Sequence, residues 1–297
     1  MPDGRLWRLV PESRSDPRVL PLLDSAWPQI SRRAASAATL GADWHALSRP
    51  FIREHGRRVV AHAGILSLPL VLNGRSARWA GVHAVCTDPA FRGRGHFKAI
   101  MNEVVETCSE EVEGMLLFTG NPELYTRFGF ECVQEHRFLC RNLHAGGESG
   151  DEAFRPIKKD RLGDLELLWK FLKEAKPSSY RYGFTGDPQH MLLNEVLACG
   201  DLERFYFSPR LEGLAVFEIL GASLRLYDWI GAELPDLEEI LACMPRRIHR
   251  VELYFSPDRF PRAWTSEPMA FAGDQLMVRG DFPLKGQRFM VPPLAHC

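Results

Sequence analysis

Residues 82–98, Val-His-Ala-Val-Cys-Thr-Asp-Pro-Ala-Phe-Arg-Gly-Arg-Gly-His-Phe-Lys, constrain this chain more than any other stretch. An apolar, strand-like run ends in a basic turn with two glycines, and the apolar period then changes. Phe97, Ile100, Met101, Val104, Val105, Cys108 and Val112 recur at helical spacing, with Glu103, Glu106 and Glu110 on other faces. Upstream, 59–72 and 76–87 read as two strands joined at Asn73-Gly74, a hairpin turn signal. A strand, a tight basic turn and a helix in that order make an anion cradle. The first amides of a helix have no intrahelical acceptor, and the helix dipole adds positive potential there. Gly93 and Gly95 allow a phosphate close to the backbone, and Arg92, Arg94 and Lys98 add charge for a ligand with several phosphates.

Two common phosphate loops do not fit. A P-loop needs G-x-x-x-x-G-K-[ST], which is absent. A dinucleotide fingerprint needs a third glycine where Lys98 stands, and a hairpin rather than a βαβ unit precedes the loop. The net charge of -1, from 37 Lys and Arg against 38 Asp and Glu, disfavours general nucleic-acid binding. No apolar run approaches the ~20 residues that span a bilayer, and Met1–Arg14 lacks a signal-peptide core. The seven cysteines, widely spaced and without C-x-x-C, read as reduced thiols of a cytoplasmic protein. The ten histidines form no metal-ligand pattern, so no metal is expected.

Length and composition set the wider frame. The 297 residues suggest two domains, and 45% hydrophobic residues are enough for a sizeable core. The Gly- and acid-rich stretch 144–152 lies near the midpoint and reads as the boundary, giving domains 1–145 and 154–297. In the first half Leu6–Val10 is a strand candidate. Val19–Ala38 is helical with a break at Pro28, and Met115–Thr119 is a short buried strand. The second half repeats the order: strand at 154–157, helices at 162–174 and 189–198, strands at 203–208, 213–220 and 223–230, a helix at 234–243 and a strand at 251–255.

The junction at 82–98 resembles the acetyl-CoA signature of the GNAT (general N-acetyltransferase) superfamily, R/Q-x-x-G-x-G/A. Arg92 and Gly95 match its first two fixed positions, and Phe97 stands where a final small residue is expected. Downstream, Asn121-Pro-Glu-Leu-Tyr125-Thr-Arg-Phe-Gly129-Phe130 is similar to the family's later segment, so the resemblance covers roughly residues 50–135. The resemblance implies an α+β fold of two GNAT-like domains, each a mixed, mostly antiparallel sheet flanked by helices. It implies acetyl-CoA as co-substrate and direct acetyl transfer to a primary amine in a ternary complex. Val85, Cys86 and Thr87 would pair with the pantetheine arm. The loop Arg92, Gly93, Arg94, Gly95, His96, Phe97 and Lys98 would hold the pyrophosphate, with Asn121 also on the cofactor side. The thioester would lie where the strands ending near Thr87 and starting at Met115 splay apart. Tyr125 would protonate the departing thiolate, a role a phenol within hydrogen-bond reach can fill.

The base is less defined. His83, on the strand entering the loop, is the best candidate, and a satisfied sheet histidine is its plainer reading. Glu54 and His55 could line the acceptor side. Cys86, inside a strand without an activating partner, reads as a buried thiol rather than a nucleophile.

Residues 154–297 lack the cradle: the corresponding turn, Trp229-Ile-Gly-Ala-Glu-Leu-Pro235, has an acid and no base, so this half reads as a degenerate GNAT-like domain. The run Gly81-Val-His-Ala-Val-Cys-Thr87 and its loop resemble the enhanced-intracellular-survival aminoglycoside acetyltransferases. In that group the terminal carboxylate reaches the active site, and the apolar, proline-stiffened end Arg288–Cys297 is compatible with such a placement. Two other classes share the cradle: a catalytically silent acyl-CoA sensor or scaffold, and an unrelated phosphate-binding module. The expected partners are a small-molecule or peptide amine acceptor, with no nucleic acid and no membrane, in a monomer or homodimer.

Overall fold

The computed structural model describes residues 16–147 and 153–297. The strand expected at 6–10 and most of the boundary stretch 144–152 lie outside those residues. The chain runs α1 (Val19–Asp24), α2 (Ile30–Thr39), α3 (Trp44–Leu47), β1 (Arg49–His55), β2 (Arg58–Leu72), β3 (Arg75–Thr87), α4 (His96–Ser109) and β4 (Gly114–Thr119). It continues through β5 (Glu131–Val133), β6 (Glu135–Gly146), β7 (Arg155–Pro156), α5 (Leu162–Glu174), β8 (Tyr182–Phe184), α6 (Pro188–Cys199), β9 (Phe205–Ser208) and β10 (Gly213–Leu220). Last come β11 (Ser223–Ile230), α7 (Leu237–Ala242), β12 (Arg247–Leu253), β13 (Thr265–Met269) and β14 (Gln275–Gly280).

Local chemistry sets the main elements. Asn73 and Gly74 have φ of 48° and 77°, the left-handed pair that a tight β2–β3 hairpin requires. Pro28 separates α1 from α2, and Gln29 turns the corner with φ of 72°. On α4, Ile100, Met101, Val104 and Cys108 are buried against Ala61, Ala63, Met115 and Leu117 of the sheet beneath. The opposite face of that sheet buries Leu68, Leu70 and Trp79 with Phe282 and Phe289 from the end of the chain. β2 is therefore buried on both faces between Val59 and Leu66, with His62 its one polar side chain there. No helix among the described residues is long and apolar enough to cross a membrane.

The fold is α+β, with two mixed sheets flanked by helices. The first has the order β1-β2-β3-β4-β14-β5, with β8 pairing the far end of β2; the second has the order β13-β6-β12-β11-β10-β9-β7. Among the described residues only β3–β4 and β11–β12 are parallel. Each sheet thus contains three successive antiparallel strands followed by a parallel fourth, and each carries a bulge in its central hairpin, at His62/Gly64 and at Val216/Phe217.

The sheets do not divide at 145–154. β6, from the first half, pairs with β12 and β13 of the second sheet. In return β14 inserts between β4 and β5, with Leu276, Met277 and Val278 opposite Phe118, Leu117 and Leu116. Those three β14 side chains are all buried. The division of strands between sheets therefore differs from the expected 1–145 and 154–297, because strand pairing depends on register and burial rather than on where the linker lies.

Candidate functional site

The parallel ladder between β3 and β4 is short. It joins Trp79, Ala80 and Gly81 to Gly114, Met115 and Leu116, and the two strands then run on to Thr87 and Thr119 no longer paired with each other. A bulge in β3 re-aims the strand just past the ladder's end. Ala84 has φ of 49°, and its carbonyl accepts a 2.8 Å hydrogen bond from His62 Nδ1. Burial lowers His62 to about 4, so its ring is neutral. Cys297 occupies the mouth of the gap, its Sγ 3.7 Å from the carbonyl of Val82 and 3.6 Å from that of Leu116. Burial pushes this thiol far above the usual range, so it stays protonated.

The end of β3 leads into the loop. Asp88 caps a single 3-10 turn by accepting from Ala90 N, and Arg92 Nε donates back to Thr87 O at 3.2 Å. Gly93 and Gly95 have φ of 75° and 83°, and a Cβ on either would meet nothing within 4 Å. No side chain caps α4. Among the described residues, the amides of 93–98 donate to no carbonyl of the surrounding turns. Arg92, Arg94 and Lys98 are exposed around these open donors. Such a set can hold a pyrophosphate. His96 adds no full charge, because burial and the nearby Arg53 and Arg94 lower its pKa.

Phe97 does not obstruct the loop. Its ring points into an aromatic cluster, edge-on to Tyr125 at 5.6 Å and to Phe128 at 5.7 Å. Tyr125 sits between two 3-10 turns, Pro122–Leu124 and Thr126–Phe128. It is 8% exposed, and burial pushes its phenol up to about 12, so it is a proton donor at neutral pH.

Both the gap and Tyr125 open into a cavity of about 580 Å³ walled by both halves of the chain. Val85, Asn121, Tyr125 and His83 line it, as do Trp44, Glu195, Arg204, Asp274, His296 and Cys297. His83 is 8% exposed, its Nε2 lies 2.8 Å from Ser48 Oγ, and its ring packs on Trp44 at 4.9 Å. Desolvation foremost, then His62 and His190, hold it well below the ordinary histidine range. Cys86 is pushed up to about 12 by burial, an unreactive thiol. Glu54 and His55 are elsewhere: Glu54 pairs with Arg18, and His55 packs on Phe91. Sequence reasoning missed Ser48, Asp274 and the Glu195–Arg204 pair. The only signal near Asp274 is the turn Ala272-Gly273, and nothing in the linear order links it to β4.

The second sheet offers no equivalent cradle. After β11 the turn closes on itself, Trp229 Nε1 donating to Glu233 O at 2.7 Å.

Residues 17–133 match the family model of the acetyltransferase (GNAT) domain. The uncharacterized N-acetyltransferase YhbS of Escherichia coli (strain K12) is 30% identical over 103 residues, 35% of this chain and 60% of its own length. The chain therefore spans less than two thirds of that relative. Among solved structures, a GCN5-related N-acetyltransferase from Kribbella flavida superposes with a TM-score of 0.52 at 16% identity, covering 88% of this chain and 67% of its own. Eis1 from Mycobacterium abscessus gives 0.55 at 14% identity, covering 88% and 70%. At these identities the likeness is one of fold.

Proposed function

We propose, from the match of residues 17–133 to the GNAT acetyltransferase domain, that the protein transfers the acetyl group of acetyl-CoA directly to a primary amine, with both bound at once. One observation carries the reading. The β3–β4 ladder stops at Gly81 and Leu116, and the open amides of 93–98 stand at the end of the same β3 strand. A pyrophosphate on those amides would let the pantetheine arm run along Val85–Thr87 and lay the thioester in the gap. The exposed guanidinium and ammonium groups of Arg92, Arg94 and Lys98 would balance its charge.

The chemistry follows from the side chains around the gap. The amine nitrogen attacks the thioester carbonyl carbon, and the C–S bond breaks. Tyr125 gives its proton to the departing sulfur. Once the N–C bond forms, the nitrogen's surplus proton is acidic, so a weak base suffices. His83, neutral and held by Ser48, takes it directly or through water, and that proton restores the phenol. The second sheet, with the same pairing order but a closed turn after β11, reads as a second GNAT-like unit that walls the acceptor cavity without binding cofactor.

Calorimetry with acetyl-CoA tests the cofactor. No heat at about 1 mM, the upper end of ordinary KM values, rejects the reading; binding without amine-dependent thiol release rejects catalysis. Gly95→Glu sets a carboxylate among the open amides and abolishes binding. Gly95→Asn, which tolerates the left-handed backbone and carries no charge, loses less.

A further inference from the structure

The cavity beside the gap is predominantly aromatic and apolar. His296 stacks on Phe118 with centroids 3.8 Å apart and 7° between planes, and Phe271 meets the same imidazole edge-on at 5.5 Å. Burial lowers His296 to about 3, so this wall carries no charge. Trp27 and Leu124 line the rim at 42% and 40% exposure, two of the four large apolar side chains so exposed among the described residues. Apolar groups left open around a cavity favour an apolar ligand. A volume of about 580 Å³ holds roughly twenty water-sized groups at about 30 Å³ each, which the acetyl-bearing end and a small acceptor must share.

The formal charges reduce to few. Glu195 and Arg204 neutralise each other in a buried two-point pair, Arg204 Nε lying 2.7 Å from Glu195 Oε1. Arg33 donates to the carbonyl of Leu197 and keeps its positive charge. Asp274 is then the one lining carboxylate with no hydrogen-bond or ion-pair partner among the described residues. It is exposed at the rim of the cavity, and partial burial there raises its pKa. Its placement is built: Gln275 pairs with Thr119, so Asp274 stands just beyond the end of β4, with Oδ1 3.5 Å from where a Gly120 Cβ would be. The turn before it holds Ala272 at φ of 55°, a left-handed conformation that a side chain adopts at a cost.

Resting on the acetyl-transfer reading, we infer that Asp274 receives the protonated amine of the acceptor, and that the acceptor is a monoamine with an apolar or aromatic body. The carboxylate takes the one proton that an ammonium must shed before its nitrogen can attack, and passes it to solvent at the exposed end of the cavity. A polycation fits poorly. Its first ammonium would meet Asp274, but the others would give up water against uncharged rings with no second free carboxylate to meet them.

The test compares wild type with Asp274→Asn in thiol release from acetyl-CoA, using 2-phenylethylamine, spermidine and kanamycin as acceptors. Wild type should use 2-phenylethylamine with the highest kcat/KM. Asp274→Asn should lower that value by about tenfold to hundredfold, the scale of one charge-assisted hydrogen bond. Its acetyl-CoA affinity by calorimetry and its thermal midpoint should stay at wild-type values. A wild-type preference for either polycation, no thiol release with any of the three despite acetyl-CoA binding, or an Asn variant within about twofold overturns the inference. Absence of acetyl-CoA binding to wild type overturns the acetyl-transfer reading itself, and this inference with it.

Discussion

Replacing Gly81 with alanine probes how tightly the gap is filled. A Cβ at residue 81 would lie 2.4 Å from Cys297 Cβ, 2.9 Å from Leu68 Cδ1 and 3.0 Å from Cys297 Sγ. Gly81 is not in the left-handed region, so the glycine serves space rather than conformation. Leu68 is fully buried and cannot retreat. The strain therefore falls on residues 296–297, which are themselves pinned. His190 Nε2 bonds the carbonyl of His296 at 2.7 Å, and Asn194 Nδ2 reaches the carbonyls of Leu294 at 3.0 Å and His296 at 2.5 Å. Overpacking of this kind costs about 1–3 kcal/mol. With an unfolding entropy near 2.1 cal/mol/K per residue over 297 residues, that is a fall in Tm of about 2–5 °C by differential scanning calorimetry. Displacing Cys297 from the mouth of the gap should also lower kcat for acetyl transfer. Acetyl-CoA affinity should hold, because the amides of 93–98 are untouched. An alanine variant with Tm within about 1 °C of wild type and unchanged kcat would refute the packing of Cys297 against Gly81.

Three further outcomes follow. Tyr125→Phe keeps the ring contacts with Phe97 and Phe130 and removes only the hydroxyl, so kcat should fall about 100-fold with acetyl-CoA affinity unchanged; a wild-type kcat removes the acid role. Glu135 is fully buried, accepts from Val291 N at 3.0 Å, and is pushed up to about 8 by desolvation. It binds its proton in the folded state and loses it on unfolding between its ordinary pKa and about 8, so its contribution to stability falls as pH rises through that window, by at most about 1.4 kcal/mol per pH unit. Denaturant titrations of Glu135→Gln and wild type at several pH values should therefore diverge across this range, and parallel curves would reject the buried, protonated carboxyl. A fragment ending at residue 147 lacks β14 and exposes the β4 edge at Leu116 and Leu117, so circular dichroism and amide dispersion should show it unfolded or aggregated; a cooperatively folded monomer would count against the strand exchange as a requirement for stability.

What the sequence disclosed, and what it did not, follows from the range of each interaction. The β2–β3 hairpin, α4 and its N-terminal turn are local: Asn73-Gly74, the helical spacing from Phe97 to Val112, and Gly95 each act within a few residues. Composition at 144–152 marked a boundary, but β6 runs on to Gly146 and residues 148–152 lie outside the described ones. The composition carried no information about partners, so β6 could end there and still belong to the second sheet. β14 was unreadable for the same reason. Leu276-Met-Val278 is too short a run to separate from any buried segment, and its register against β4 spans more than 150 residues of chain. The closing segment behaves likewise: proline stiffening hinted at order, but only the carbonyls of Val82 and Leu116 and the side chains of His190 and Asn194 fix where Cys297 goes. The proposed cofactor loop is thus built by one contiguous segment, whereas the proposed acceptor cavity is assembled from β3, β4, α6 and the end of the chain. A loop that reads one nucleotide needs only local geometry. A pocket that selects an amine depends on contacts between distant segments, and so the residues that would choose the substrate were the ones the linear order concealed.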